Sequence, residues 1–358
     1  MKKSILFIAD KPDWAYHNII KVWTELLSEY NCYIAFTKDY SIRAKKFSLI
    51  DILKNKFSQL KSSPVKYKIH SSRKYSYPVY KEVPVYEVFS GKKVSLTHFD
   101  ITIELAYYFQ YTAEFPFTAD KKYVGLYTDC YPHEGPSYDF KNNVDLKTLN
   151  REDFFKRYIS HYNGLIAGSY NLYNDYKKFN FPIALSNAIY KADKFVENNN
   201  IGDNEYLTIG WTGNPKREMK GFRSIIEPAI KELQEDGFNI KLKTKFSGSY
   251  DDLLTFYTDV DLVVITSSAD TGPSLFAEAS LCKVPSISTK IGFPNSVIND
   301  GKNGLFINRD KEELKQAIIK LYNDRALLKK FSSNIKQDFL RLFSNEILIH
   351  NLKDFLNQ

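Results

Sequence analysis

Glycine and proline are scarce, 15 and 13 among 358 residues, which excludes collagen-like and low-complexity architectures. No apolar run approaches the ~20 residues that a membrane-spanning helix needs; Leu262–Ile265 is typical of the longest. The three cysteines, Cys32, Cys130 and Cys282, are far apart and form neither a disulfide framework nor a metal-binding pattern. Lys2 and Lys3 precede a short apolar stretch, Ile5–Ala9, but Asp10 ends it before it reaches signal-peptide length, so no leader is expected. Apolar residues make up 43% of the chain, aromatic residues 15% and charged residues 26%, enough for full-sized cores. At ~100–200 residues per domain, the length favours two domains. These features predict a globular, intracellular, cytoplasmic protein.

The net charge of +8 is unevenly spread. Between Ser41 and Pro84 there are eleven bases against two acids, so the rest of the chain sums to about −1. A local positive surplus points to a local anionic partner. Within it, Phe47–Leu60 reads as an amphipathic helix with Leu49, Ile50, Leu53, Phe57 and Leu60 on one side. An anionic membrane surface or a lipid-diphosphate acceptor fits residues 41–84. Nucleic acid is not expected, since no recognised nucleic-acid motif occurs.

Both halves alternate short buried runs with helical periodicity, the mark of α/β architecture with parallel sheets. In the first half, strands are predicted over Ser4–Ala9, Cys32–Phe36, Phe99–Ile103, Tyr123–Tyr127 and Gly164–Ala167. The second half restarts with strands at Tyr206–Trp211, Ile240–Thr244, Asp261–Thr266, Pro285–Thr289 and Gly304–Ile307. Helices are predicted over Gly221–Leu233, Asp251–Thr258, Ser274–Cys282, Lys311–Tyr322 and Arg325–Phe343. Val196–Asn204 is polar and reads as a linker, which places a ligand cleft between the carboxyl ends of two sheets.

The stretch from Ser267 to Thr289 carries the most chemistry. A buried strand runs into a loop with Gly272 and Pro273, and a helix begins at Ser274. The free N–H groups at such a helix start, near Ser274 and Leu275, bind anions, and Pro suits that first turn. Asp270 precedes the helix and Glu278 lies one turn into it. Two carboxylates flanking a phosphate-binding helix start can grip hydroxyls on both sides of a diphosphate, as a nucleotide-sugar requires. Asp259 and Asp261 form an Asp-x-Asp pair, but it leads straight into a buried strand and is not read as a metal site.

This stretch resembles the Glu-x7-Glu motif of family-4 retaining glycosyltransferases, with Asp270 in the first position and Glu278 in the second. Ile209–Phe222 is similar to the family's loop after the first strand of the nucleotide domain, with Lys220-Gly221 matching its Lys-Gly. Asn214 stands where many members carry Arg, leaving Lys216 or Arg217 to supply a second cation. Ser186–Phe195 resembles the stretch that ends the family's N-terminal domain, and Ser169 fits its Ser beyond the preceding strand. The matches span about residues 160–325. In the N-terminal half, Thr128-Asp129 replaces the family's His-Asp, with His133 able to take the role.

The resemblance implies a GT-B architecture of two Rossmann-like domains facing a cleft. Residues 1–195 would bind acceptor, 196–204 would link, 205–343 would bind the nucleotide-sugar, and 344–358 would cross back as a helix. It implies transfer of a sugar from a donor such as a UDP-sugar to a glycan, lipid-linked or protein acceptor, with retention, in bacterial-type surface glycan synthesis. Asn214, Lys216, Arg217, Lys220, Gly272, Pro273, Ser274, Leu275 and Glu278 would hold the donor. Asp270, Glu278, His133 and Asp129 would be catalytic. No metal or other cofactor is expected, because Lys220 and the helix N-terminus neutralise the phosphates. The departures from the motif also admit a catalytically impaired nucleotide-binding or assembly subunit.

Overall fold

The computed structural model describes residues 2–38, 45–46, 65–69, 75–127 and 138–358. Contacts divide the chain into two units. The first comprises Met1–Ala167, Tyr176–Ser186 and Leu352–Gln358; the second comprises Gly168–Asp175 and Asn187–Asn351.

The first unit is built on an eight-stranded sheet. Its order is Ile183–Leu185, Gly164–Ala167, Thr118–Leu126, His98–Glu104, Ser4–Ala9, Asn31–Phe36, Val85–Glu87 and Lys93–Val94. The first six strands are parallel, with Ile8 opposite Glu104, and the last two are antiparallel. Burial on both faces explains why Ile5–Ala9 is continuously apolar. The antiparallel pair was not anticipated, because segments of two or three residues carry no readable period. A separate sheet pairs Lys45–Lys46, Val65–Ile69 and Tyr75–Tyr80, all antiparallel, inside the basic segment. The amphipathic helix expected at Phe47–Leu60 lies outside the described residues.

On one face of the large sheet, Leu6, Ile8, Phe99, Phe109 and Phe117 form a core with Tyr80 and Val85. The crossover from His98–Glu104 to Thr118–Leu126 supplies Phe109 through a short 3-10 turn, Tyr107–Tyr111. The helix Asn345–Leu356 ends in this unit, where the Phe355 ring packs tilted against Tyr123 with centroids 5.1 Å apart.

The second unit has a five-stranded, wholly parallel sheet ordered Ile240–Lys245, Leu207–Thr212, Leu262–Ile265, Ser286–Ser288, Leu305–Phe306. Leu262–Ile265 sits at its centre with each residue at most 3% exposed. Two long helices are capped by acids: Asp310 accepts from the Glu313 N–H, and Asp324 from the Leu327 N–H.

Three segments differ from their sequence reading. Residues 196–204 are packed into the second unit rather than spanning free. Asn198 is buried and donates to the Val260 carbonyl at 2.9 Å, and the Gly202 N–H donates to Asp261 at 2.7 Å. The segment is polar because its amides satisfy buried backbone groups. The helix predicted from Gly221 begins as a π turn, Phe222–Ile226, before the α-helix Glu227–Glu235. Pro228, which has no N–H to continue a ladder, sits at the handover. Asp251–Thr258 is two 3-10 turns, Tyr250–Leu253 and Phe256–Asp259, not one helix. Among the described residues, no helix is long and apolar enough to cross a membrane.

Candidate functional site

Strand order in the second sheet reverses between Leu207–Thr212 and Leu262–Ile265, so the loops leaving these neighbours diverge to opposite faces and open a crevice at their carboxyl ends. Lys220 comes from the first loop and Asp270 from the second. Their side chains are directly hydrogen-bonded and about one-fifth exposed, at 22% and 16%.

Four contacts lock the two loops together. Thr266 Oγ1 donates to the Lys220 carbonyl at 2.9 Å, and the Ser268 N–H to the Met219 carbonyl at 2.9 Å. Arg309 spans both, with Nε donating to the Thr266 carbonyl at 3.0 Å and Nη2 to the Glu218 carbonyl at 2.8 Å. Gly221 follows Lys220 at φ 71°, and a Cβ there would lie 2.5 Å from Thr266 Oγ1. Glycine therefore serves both the left-handed backbone and the close approach. Sequence reasoning missed Arg309, because its role depends on main-chain carbonyls brought in from distant loops.

The helix Ser274–Leu281 starts four residues beyond Asp270, with Pro273 at its cap and no side-chain cap for its first N–H groups. Those groups and Lys220 bring positive potential to this end of the crevice, with Asp270 as the counter-charge of the lysine. The bend is fixed from behind. Gly272 packs against Phe293, and a Cβ on Gly292 would fall 2.0 Å from the Thr271 carbonyl oxygen. Thr271 is 2% exposed and its hydroxyl has no partner.

Glu278 does not lie on an open helix face. The helix is buried around its circumference from Leu275 to Leu281, and Glu278 is 2% exposed. Its carboxylate accepts from Tyr257 at 2.7 Å and from Tyr250 at 3.3 Å. Burial pushes its pKa up to about 7, against the lowering effect of both hydroxyls. The single Tyr250 proton is shared between Glu278 and the Tyr190 carbonyl, 3.1 Å away. These tyrosines, like Arg309, carry no sequence signal of their role.

The remaining candidates are dispersed. Asn214 is exposed and its side chain accepts from the Lys216 N–H at 3.0 Å, making an Asx turn. Lys216 and Arg217 are exposed, with Arg217 touching the Met219 sulfur at 3.2 Å. Ser169 is buried and accepts from the Leu172 N–H at 3.3 Å. Asp129 and His133 lie outside the described residues. Asp261 is spent on the Gly202 and Thr208 N–H groups, and Asp259 on Lys243. Among the described residues, no group of three or more His, Cys, Asp or Glu side chains could hold a metal.

Residues 227–338 match the family model described as "Glycosyl transferases group 1". An uncharacterized glycosyltransferase of Methanocaldococcus jannaschii is 29% identical over 99 residues, covering 27% of this chain and 28% of that protein. The lipopolysaccharide core biosynthesis glycosyltransferase LpsE of Rhizobium meliloti is 25% identical over 150 residues, covering 37% of this chain and 44% of its own. The chain thus matches less than half the length of these curated relatives. Among solved structures, a glycosyltransferase from Rickettsia africae aligns at TM-score 0.60 with 13% identity, covering 99% of this chain and 98% of its own. Anabaena HepE in complex with UDP-glucose aligns at TM-score 0.59 with 13% identity, covering 99% of each chain. The likeness to these structures is one of fold, and the fold is GT-B.

Proposed function

We propose that this chain, which carries a group 1 glycosyltransferase domain within a GT-B fold, moves a sugar from a nucleotide-sugar to an acceptor hydroxyl. The observation that supports this most is the meeting of Lys220 and Asp270 beside the start of the Ser274–Leu281 helix.

A diphosphate entering this crevice competes with Asp270 for the lysine. Lys220 and the N–H groups near Ser274 and Leu275 take the phosphate charge, and Asp270 is released to accept hydroxyls of the transferred sugar. Ribose hydroxyls exchange with Tyr250, the longer of the two bonds to Glu278. Catalysis is then chiefly electrostatic: fixed positive charge meets the negative charge that grows on the departing diphosphate as the glycosidic bond breaks. Arg309 acts as a positioning residue, holding the Lys220 loop against Thr266. Retention, and a place in surface glycan synthesis, extend the reading on the strength of the family resemblance, and a glycan or lipid-linked acceptor belongs to it. Asp129 and His133 remain the proposed acceptor-side groups.

A donor-turnover assay with a panel of nucleotide-sugars tests the proposal. Release of free nucleotide together with a glycosylated product, lost in Lys220→Ala, is the expected result. Tight nucleotide binding with no turnover across a broad acceptor panel would instead establish a non-catalytic binding subunit.

A further inference from the structure

The first unit contains a cavity of about 220 Å³ that the donor site does not use. It lies on the aromatic face of the sheet, between Thr102, Glu104 and Lys122 on the strands and Phe109, Gln110, Phe115 and Lys141 on the covering loops. This volume exceeds the ~150 Å³ of a cavity that holds one benzene ring and falls below the ~300 Å³ where drug-sized ligand pockets begin. One substituted six-membered ring matches this volume.

Its lining includes polar groups that the described residues leave unsatisfied. Thr102 is 2% exposed, and its hydroxyl has no partner. A buried hydroxyl left so costs free energy unless a ligand or water completes it. The Lys122 ammonium has no hydrogen bond or ion pair among the described residues. Lys141 reaches its nearest carboxylate, Glu114, only at 3.9 Å, while Glu114 is already held by Lys68 at 2.8 Å. Burial lowers the Lys141 pKa, against the raising effect of the Glu114, Asp139 and Glu104 carboxylates around it. Glu104 accepts from Tyr162, which in turn accepts from Gln110 at 2.8 Å. Burial raises the Glu104 pKa to about 7, so a share of the carboxyl is neutral near that pH and it opposes an anion less than its formal charge suggests. Phe109 and Phe115 stack at 4.5 Å and supply an apolar wall.

We propose that this cavity binds a single pyranose ring bearing one acidic group, a carboxylate or a phosphate. The acid sits between Lys122 and Lys141, a ring hydroxyl completes Thr102, and the C–H face of the ring lies on the phenylalanine wall. This goes beyond the transfer reaction and does not depend on the site in the second unit.

Titration calorimetry on the full chain, without nucleotide, tests it with glucuronate, glucose 6-phosphate and glucose. At least one acidic sugar binds, at least about tenfold more tightly than glucose, and the two arms identify the acid. Lys141→Met weakens that binding about tenfold or more. Thr102→Val, which removes a buried unpaired hydroxyl with little change in shape, folds with unreduced stability and also binds more weakly. Lys122→Met, at an exposed position, reports the same loss should Lys141→Met fail to fold. Lys220→Ala leaves the binding intact, so failure here and failure of the donor site are separable. No binding of either acid, equal binding of glucose, or wild-type affinity in Thr102→Val and Lys122→Met would overturn the proposal, as would loss of binding in Lys220→Ala.

Discussion

At the scale of single residues, two buried glutamates and a half-buried histidine pull the pH dependence of stability in opposite directions. Glu104 and Glu278 are both pushed up to about 7 by burial, from an ordinary value of 4.5. The folded state therefore holds these protons when the unfolded chain has released them, and their contribution to stability falls as pH rises from about 4.5 to about 7, while His17, held down to about 4 by burial, contributes in the opposite sense up to about 6.5. The glutamate contribution is fully present below the unfolded value and lost above the folded one. Glu104→Gln removes one such term, on the order of 3 kcal/mol over that interval. Urea denaturation from pH 4.5 to 8 should show the stability of the variant gaining on that of the parent as pH rises; parallel curves would contradict it. The approach of Lys220 to the loop before the Ser274–Leu281 helix was legible, because a lysine set against a helix start carries a chemical reason in the sequence itself. The depth of Glu278 was not. Whether a helix faces solvent on one side or packs on all sides depends on neighbours such as Tyr250 and Tyr257, which lie outside its own periodicity.

At the scale of elements, the loop that carries Lys220 depends on a glycine and an arginine. Gly221→Ala meets both a left-handed backbone and the Thr266 hydroxyl, so we expect it to cost about 1–3 kcal/mol of stability in thermal unfolding. A variant as stable as the parent would show that the loop relaxes freely. Arg309→Lys cannot span two carbonyls with one rigid fork. Its expected effect is a rise in the KM for donor with stability little changed, and an unchanged KM would remove Arg309 from the positioning role. Asp310→Ala deletes a helix cap, and we expect a loss of about 1 kcal/mol with donor binding unaffected. Long elements such as Arg325–Phe343 were readable to the residue, because period and cap agree over many turns. Short strands such as Val85–Glu87, and the π turn at Phe222–Ile226, were not. They are decided by pairing and by one proline rather than by pattern.

At the scale of the whole molecule, the parallel order of each sheet follows from alternating buried runs and crossovers, and it was the most legible feature. The basic stretch 41–84 carries more than the whole of the net charge, the rest of the chain summing to about −1. We propose that it draws the protein to anionic membranes, each base contributing ~1 kcal/mol. Flotation with anionic liposomes should be strong at low salt, weak at high salt, and reduced when Lys54, Lys56 and Lys61 become Glu; no flotation at low salt would count against it. The second unit stands or falls on the crevice that holds Lys220. Calorimetric titration of the intact protein with UDP and GDP, beside Lys220→Ala, reads that crevice directly. Saturable binding of at least one nucleoside diphosphate, weakened about 10- to 100-fold in the variant, is the predicted result. Identical affinity in the two proteins would contradict it.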